Sequence, residues 1–189
     1  MAAPRILGVD PGLNTTGYAV IEVHADGPKL IEAGTIRSAE RRATPDMAQR
    51  LKALYDGVIE VIDQFGPTAL AVEQLYAHYD HPRTAILMAH ARGAILLAGG
   101  QRDLKVASYA ATQVKKAVTG SGRAGKEQMQ LAMLREFGLS EMPEPHDVAD
   151  ALAIALCHFH LRNSPERDRG PVGQGGVGIN MDALLGNED

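Results

Sequence analysis

Residues 146–161 (HDVADALAIALCHFHL) constrain this chain more than any other stretch. Pro143 and Pro145 precede them, so a helix is expected from His146 to about Leu161. From Ala151 to Leu156 every position is apolar, so this helix has to be enclosed along most of its surface. Asp147 and Asp150 nevertheless stand at its start, one turn apart on a shared face. A buried helix that begins with two acids needs layers of structure around it and a reason for the acids.

The rest of the chain supplies the layers. Arg5–Val9, Gly17–Val23 and Lys29–Arg37 read as three strands of an antiparallel meander, the last reached through Asp26-Gly27-Pro28. Thr44 and Pro45 open a helix as N-cap and first helical position, with apolar residues at helical spacing from Met47 to Phe65 and a stop at Gly66-Pro67. Ala69–Glu73 is a short buried strand, 82–99 a helix, Lys105–Tyr109 a fifth strand and Ala111–Val118 a short helix. After Gly120-Ser121-Gly122 a further helix is expected over Ala124–Phe137. Three strands followed by alternating elements predict an α/β fold, a mixed five-stranded sheet with helices on both faces. Residues 1–163 form that domain. Residues 164–189, with five glycines and a proline between 170 and 178, read as a disordered tail.

With 45% hydrophobic and 22% charged residues in 189, collagen, coiled coil and wholesale disorder are excluded. The single cysteine, Cys157, allows no internal disulfide, and it lies within the apolar helix, where a structural role is expected. No apolar run of about 18 residues exists and the N-terminus lacks a signal-peptide core, so a soluble cytoplasmic protein without membrane contact is expected.

Four acids stand where burial makes acids rare. Asp10 ends the strand Ile6-Leu7-Gly8-Val9, and Glu73 ends Leu70-Ala71-Val72. Asp147 and Asp150 open the last helix. Singly, Asp10 suits a turn, Glu73 the solvent end of a strand and Asp147 a helix N-terminus. Together, converging carboxylates in apolar surroundings repel one another unless a cation neutralises them, and an all-oxygen set favours Mg²⁺ or Mn²⁺ over zinc.

The motifs GVDPG at 8–12, TGYAV at 16–20, AVEQ at 71–74, VKKAVTGSGRAGK at 114–126 and DVADALAIA at 147–155 resemble the RuvC Holliday-junction resolvases, in order and spacing. The resemblance spans Ile6 to His160. It implies a ribonuclease-H-like fold, a homodimer, and Mg²⁺-dependent cutting of two strands at a four-way DNA junction in recombination and repair. It also implies the RuvA-RuvB branch-migration complex as partner. The family's metal-binding acids fall on Asp10, Glu73, Asp147 and Asp150. Some relatives carry histidine as third ligand, and His146 adjoins that position, but the D-x-x-D-A-L-A register favours Asp147. In such a site two ions about 4 Å apart clamp the scissile phosphate and leave 5′-phosphate and 3′-hydroxyl ends.

Net charge is −4, but six basic residues face one acid between Gln101 and Lys126. Lys115, Lys116, Arg123 and Lys126 are the candidate phosphate contacts, with Lys115 and Lys126 matching basic positions of the family motif. Tyr76 follows Glu73 where relatives place an aromatic, and it could stack on an unpaired base. Two other readings compete. The Asp-x-Gly hairpin at 6–20 is also similar to the phosphate-binding hairpin of actin-like and sugar-kinase ATPases, though no second such hairpin appears. A ribonuclease-H-like nuclease acting on another nucleic acid is the other. Helix 82–99 has almost no polar face and is the expected dimer interface, with Leu96 as the position to probe.

Overall fold

The structure, a computed structural model of the chain, describes residues 3–38, 46–75, 82–142 and 144–162. Five strands form one sheet: β1 (Arg5–Asp10), β2 (Thr15–His24), β3 (Gly27–Arg37), β4 (Ala69–Glu73) and β5 (Lys105–Tyr109). Their order is β3-β2-β1-β4-β5. The first three are antiparallel neighbours, whereas β4 pairs parallel with β1 and β5 parallel with β4. Among the described residues five helices accompany the sheet: α1 (Met47–Phe65), α2 (Pro82–Gln101), α3 (Ala111–Thr119), α4 (Lys126–Phe137) and α5 (His146–Leu161). The mixed sheet and helix layers expected from sequence are therefore present.

Side-chain alternation along the strands divides the core in two. Leu7, Val9, Val20, Leu70 and Val72 point to one face and pack with α1 and α2. Ile6, Ala19, Ile21 and Ala71 point to the other, under α5 and its neighbours. Along β1, Asp10 shares a face with Ile6 and Gly8; along β4, Glu73 shares one with Ala71. Both strand-end acids therefore face α5. Since Val9 pairs with Val72, Asp10 and Glu73 end neighbouring strands side by side.

Two glycines bring α5 onto the sheet. A Cβ on Gly8 would overlap the Ala151 carbonyl and lie 2.7 Å from the Ala155 Cβ. A Cβ on Gly17 would overlap the Asp147 carbonyl and lie 3.0 Å from its Cβ. Residues 147, 151 and 155 form one stripe of α5, and it rests directly on β1 and β2. Gly8→Ala should destabilise the protein by about 3 kcal/mol, at the upper end of overpacking costs, because backbone rather than a movable side chain lies in the way. A lower urea midpoint at unchanged slope checks this; an unchanged midpoint would mean α5 can lift away freely.

Several boundaries differ from expectation. The β2–β3 turn is the pair Ala25-Asp26, not Asp26-Gly27-Pro28; Gly27, at φ 133°, already pairs with His24. The N-cap of α1 is Asp46 rather than Thr44, because Asp46 and Gln49 cap each other: the Gln49 N–H donates to Asp46 Oδ1 at 2.8 Å, and the Asp46 N–H to Gln49 Oε1 at 3.3 Å. Helix α4 starts at Lys126, not Ala124; Ala124 is buried ahead of it, and Gln128 Oε1 accepts from the Gly125 N–H. On α2, Leu96 packs toward the core, and the outward apolar residues are instead Ile86 and Leu97, each 57% exposed. Thr44, Pro45, Tyr76 and the tail 164–189 lie outside the described residues.

Candidate active site

The site lies where β1 and β4 end beneath the first turn of α5. The turn after β1 is held locally: the Thr16 hydroxyl, fully buried, donates to the Gly12 carbonyl at 2.6 Å and accepts from the Gly12 N–H at 3.2 Å. This fixes the chain immediately after Asp10. Gly17, opposite Asp10 on β2, seats the backbone of Asp147. Asp150 follows one turn later and opens toward solvent at the mouth of the site.

Electrostatics couples these groups. The Asp10 carboxyl is pushed up to about 8, first by burial, then by the charges of Glu73, Asp150 and Asp147, and by a hydrogen bond to Glu73. Glu73 is also raised, by burial and then by Asp150; the bond from Asp10 and the charge of Lys115 oppose this. Asp10 thus holds the proton and Glu73 accepts it. Burial raises Asp150 too, with Asp147 adding and His146 and Lys126 opposing. Four carboxylates from three elements feel one another.

Among the described residues, no three His, Cys, Asp or Glu side chains are gathered tightly enough to hold an ion as they stand. The donor set itself fits a hard divalent cation, being all carboxylate oxygen with one proton to displace.

Beside the acids opens a cleft of about 370 Å³ between α3, α4 and α5. Glu73, Asp150, Lys115, Lys126 and His146 stand around it, and Val114, Met129, Met133, Ala153 and Ile154 give it an apolar lining. Lys126 Nζ donates to His146 Nε2 at 2.9 Å. His146 is exposed at the first position of α5 and lines the same cleft as Glu73 and Asp150, whereas Asp147 sits over Gly17. Of the four candidate phosphate contacts, the cleft brings in Lys115 and Lys126; Lys116 and Arg123 are exposed outside its lining. Cys157 is buried and its thiol is pushed up to about 12 by burial, so it is inert as a nucleophile. The methionines of the cleft and a contact from Arg92 to Glu73 were not legible in the sequence. In the sequence Arg92 is a polar residue on a helix that is otherwise largely apolar.

The family model described as crossover junction endodeoxyribonuclease RuvC matches residues 6–158. A protein of Rhodopirellula baltica with that name is 50% identical over 166 residues, covering 87% of this chain and 90% of its own. Its namesake from Acinetobacter baylyi is 42% identical over 161 residues, 85% of this chain and 86% of its own. Among solved structures, Thermus thermophilus RuvC in complex with Holliday junction substrate superposes with a TM-score of 0.77 at 32% identity, covering 84% of this chain and 94% of the other.

Proposed function

The chain belongs to the RuvC family of crossover junction endodeoxyribonucleases, a ribonuclease-H-like fold, and on that premise we propose how its own residues resolve a four-way DNA junction. It is a Holliday-junction resolvase acting in recombination and repair; a phosphotransferase is not favoured. The observation that carries the site reading is the convergence of Asp10, Glu73, Asp147 and Asp150 at one end of the sheet, beside a cleft flanked by Lys115 and Lys126.

Asp10, Glu73, Asp147 and Asp150 would hold the cations, with His146 next to them at the cleft. Mg²⁺, two ions per subunit with Mn²⁺ able to substitute, supplies when bound the polarisation of the phosphodiester and a hydroxide equivalent from water. To hold such an ion Asp10 would give up its proton, so uptake would release a proton and tighten as pH rises. Lys115 and Lys126 attract the phosphate backbone and hold it over the carboxylates. Release of the 3′ oxygen leaves 5′-phosphate and 3′-hydroxyl ends. Tyr76 is the proposed stacking partner of a base at the junction centre.

A four-way junction has two-fold symmetry, and paired cutting needs two sites related in the same way; a C2 homodimer supplies them. The outward stripe of α2 is the proposed interface. The RuvA-RuvB complex is the proposed partner and the cytoplasm the proposed location. No described helix is long and apolar enough to cross a membrane.

The experiment that tests the reading compares cleavage of a synthetic four-way junction, linear duplex and RNA–DNA hybrid in Mg²⁺. The junction should be cut in paired strands and the others left intact. Preference for duplex or hybrid would overturn the assignment. Lys115→Ala and Lys126→Ala should each weaken junction binding and reduce the slope of log K against log salt by about 1. Fluorescence anisotropy across a salt series checks this, and an unchanged slope removes that lysine from the phosphate path.

A further inference from the structure

Arg92 reaches the end of the sheet from the side opposite to α5. Its Nε donates to the Glu73 carbonyl oxygen at 3.2 Å, and its Nη2 to the Ser108 hydroxyl at 2.7 Å. Glu73 is the last residue of β4 and Ser108 the penultimate residue of β5, so one guanidinium bridges the ends of two parallel neighbours. Leu70 and Val72 face α1 and α2, the layer from which Arg92 comes, whereas the Glu73 carboxyl faces the cleft. Arg92 therefore grips the Glu73 backbone from behind the site and cannot touch what binds in front of it.

Both partners of Arg92 among the described residues are neutral oxygens. Its charge is not among the influences on the acidity of Glu73 or Asp10. What it provides is geometry: a planar fork with two donors in fixed relation. It is half-buried on a largely apolar helix, with both of these donors satisfied.

We infer that Arg92 is a positioning residue, which by tying the Glu73 carbonyl to β5 sets where the Glu73 carboxyl stands relative to Asp10 and Asp150, and so sets the affinity of these carboxylates for a divalent cation. The inference rests on the reading of Glu73 as a metal ligand. Groups that orient a ligand from outside the coordination shell typically change metal affinity or activity 10–100-fold.

The test is calorimetric titration of Mn²⁺ into metal-depleted wild type, Arg92→Ala, Arg92→Lys, Ser108→Ala and Glu73→Gln, followed by single-turnover cleavage over a range of Mg²⁺. Arg92→Ala should raise the Mn²⁺ dissociation constant about 10–100-fold and slow cleavage at low Mg²⁺, with part of the rate regained at high Mg²⁺. Arg92→Lys, keeping one donor, should fall between, and Ser108→Ala should show a smaller rise. Junction affinity without divalent ion should not change. A lower melting temperature with wild-type Mn²⁺ affinity would overturn the inference, since that is what a purely structural arginine gives. If Arg92→Ala does not fold, wild-type Mn²⁺ affinity in both Arg92→Lys and Ser108→Ala overturns it. Glu73→Gln separates the two ideas: retained Mn²⁺ affinity there refutes the ligand reading and the inference with it. Lost affinity in Glu73→Gln beside unaltered Arg92 variants refutes the inference alone.

Discussion

Asp10→Asn should cut junction cleavage by roughly 10³-fold while, in metal-free buffer near pH 8, it melts at a higher temperature than wild type. Both effects come from one carboxyl. In the folded protein Asp10 is pushed up to about 8, from an ordinary 3.8, by burial and three neighbouring carboxylates. Between those values the unfolded chain has lost the proton and the folded chain keeps it. Folding therefore takes up a proton, and stability falls as pH rises through that window. Below pH 4 both states are protonated and nothing is lost; by about pH 8 most of the loss has occurred. At about 1.4 kcal/mol per pH unit the full loss is on the order of several kcal/mol. Asparagine removes the titration, and its amide can donate to Glu73 as the protonated acid does. Calorimetry in chelator from pH 4 to 8.5 should show a declining wild-type melting temperature and a flatter one for Asp10→Asn. Added Mg²⁺ should raise the wild type alone. Parallel curves for the two proteins would mean that Asp10 is not the strained group.

Leu97→Glu should convert the proposed dimer into a folded monomer that nicks junctions without pairing its cuts. Ile86 and Leu97 are each 57% exposed and stand three helical turns apart on one side of α2, with Gly93 between them. Such a stripe is poorly suited to water and well suited to a second copy of itself. In a two-fold dimer each substitution counts twice, so at about 2 kcal/mol per central residue the dimer weakens by on the order of 10³-fold in Kd. Leu96→Glu, one residue away, should instead unfold the protein, because Leu96 packs on the core beneath α2. Sedimentation at micromolar concentration separates these outcomes. A monomeric wild type, or a dimeric Leu97→Glu, would sink the interface.

The strand-end acids were legible because strands alternate. Once Ile6–Val9 and Leu70–Val72 are read as buried strands, Asp10 and Glu73 at their ends are conspicuous, and two acids opening an apolar helix are equally so. The face of α2 that turns outward was not legible, since a helix apolar all round gives no periodic clue. Only its packing distinguishes Leu96 from Leu97. The cap of α1 moved from Thr44 to Asp46 because adjacent polar residues compete for one role and Gln49 decides it. Lys116 and Arg123 carry the same charge as Lys115 and Lys126; the motif set the latter pair apart, and it is that pair that borders the cleft. The role of Arg92 was not legible because its partners, the Glu73 carbonyl and the Ser108 hydroxyl, meet it only through the fold.

The parallel pairing of β1 with β4 bears on how the enzyme comes into being. Asp10 and Glu73 are sixty-three residues apart in sequence, and Asp150 lies a further seventy-seven along. The β1–β3 meander can form early from near neighbours, but it carries one acid of the four. The distant pairings carry the larger loop-closure cost, so the site depends on the least local contacts of the fold. A chain that has formed only the β1–β3 meander carries Asp10 without Glu73 or Asp150 beside it.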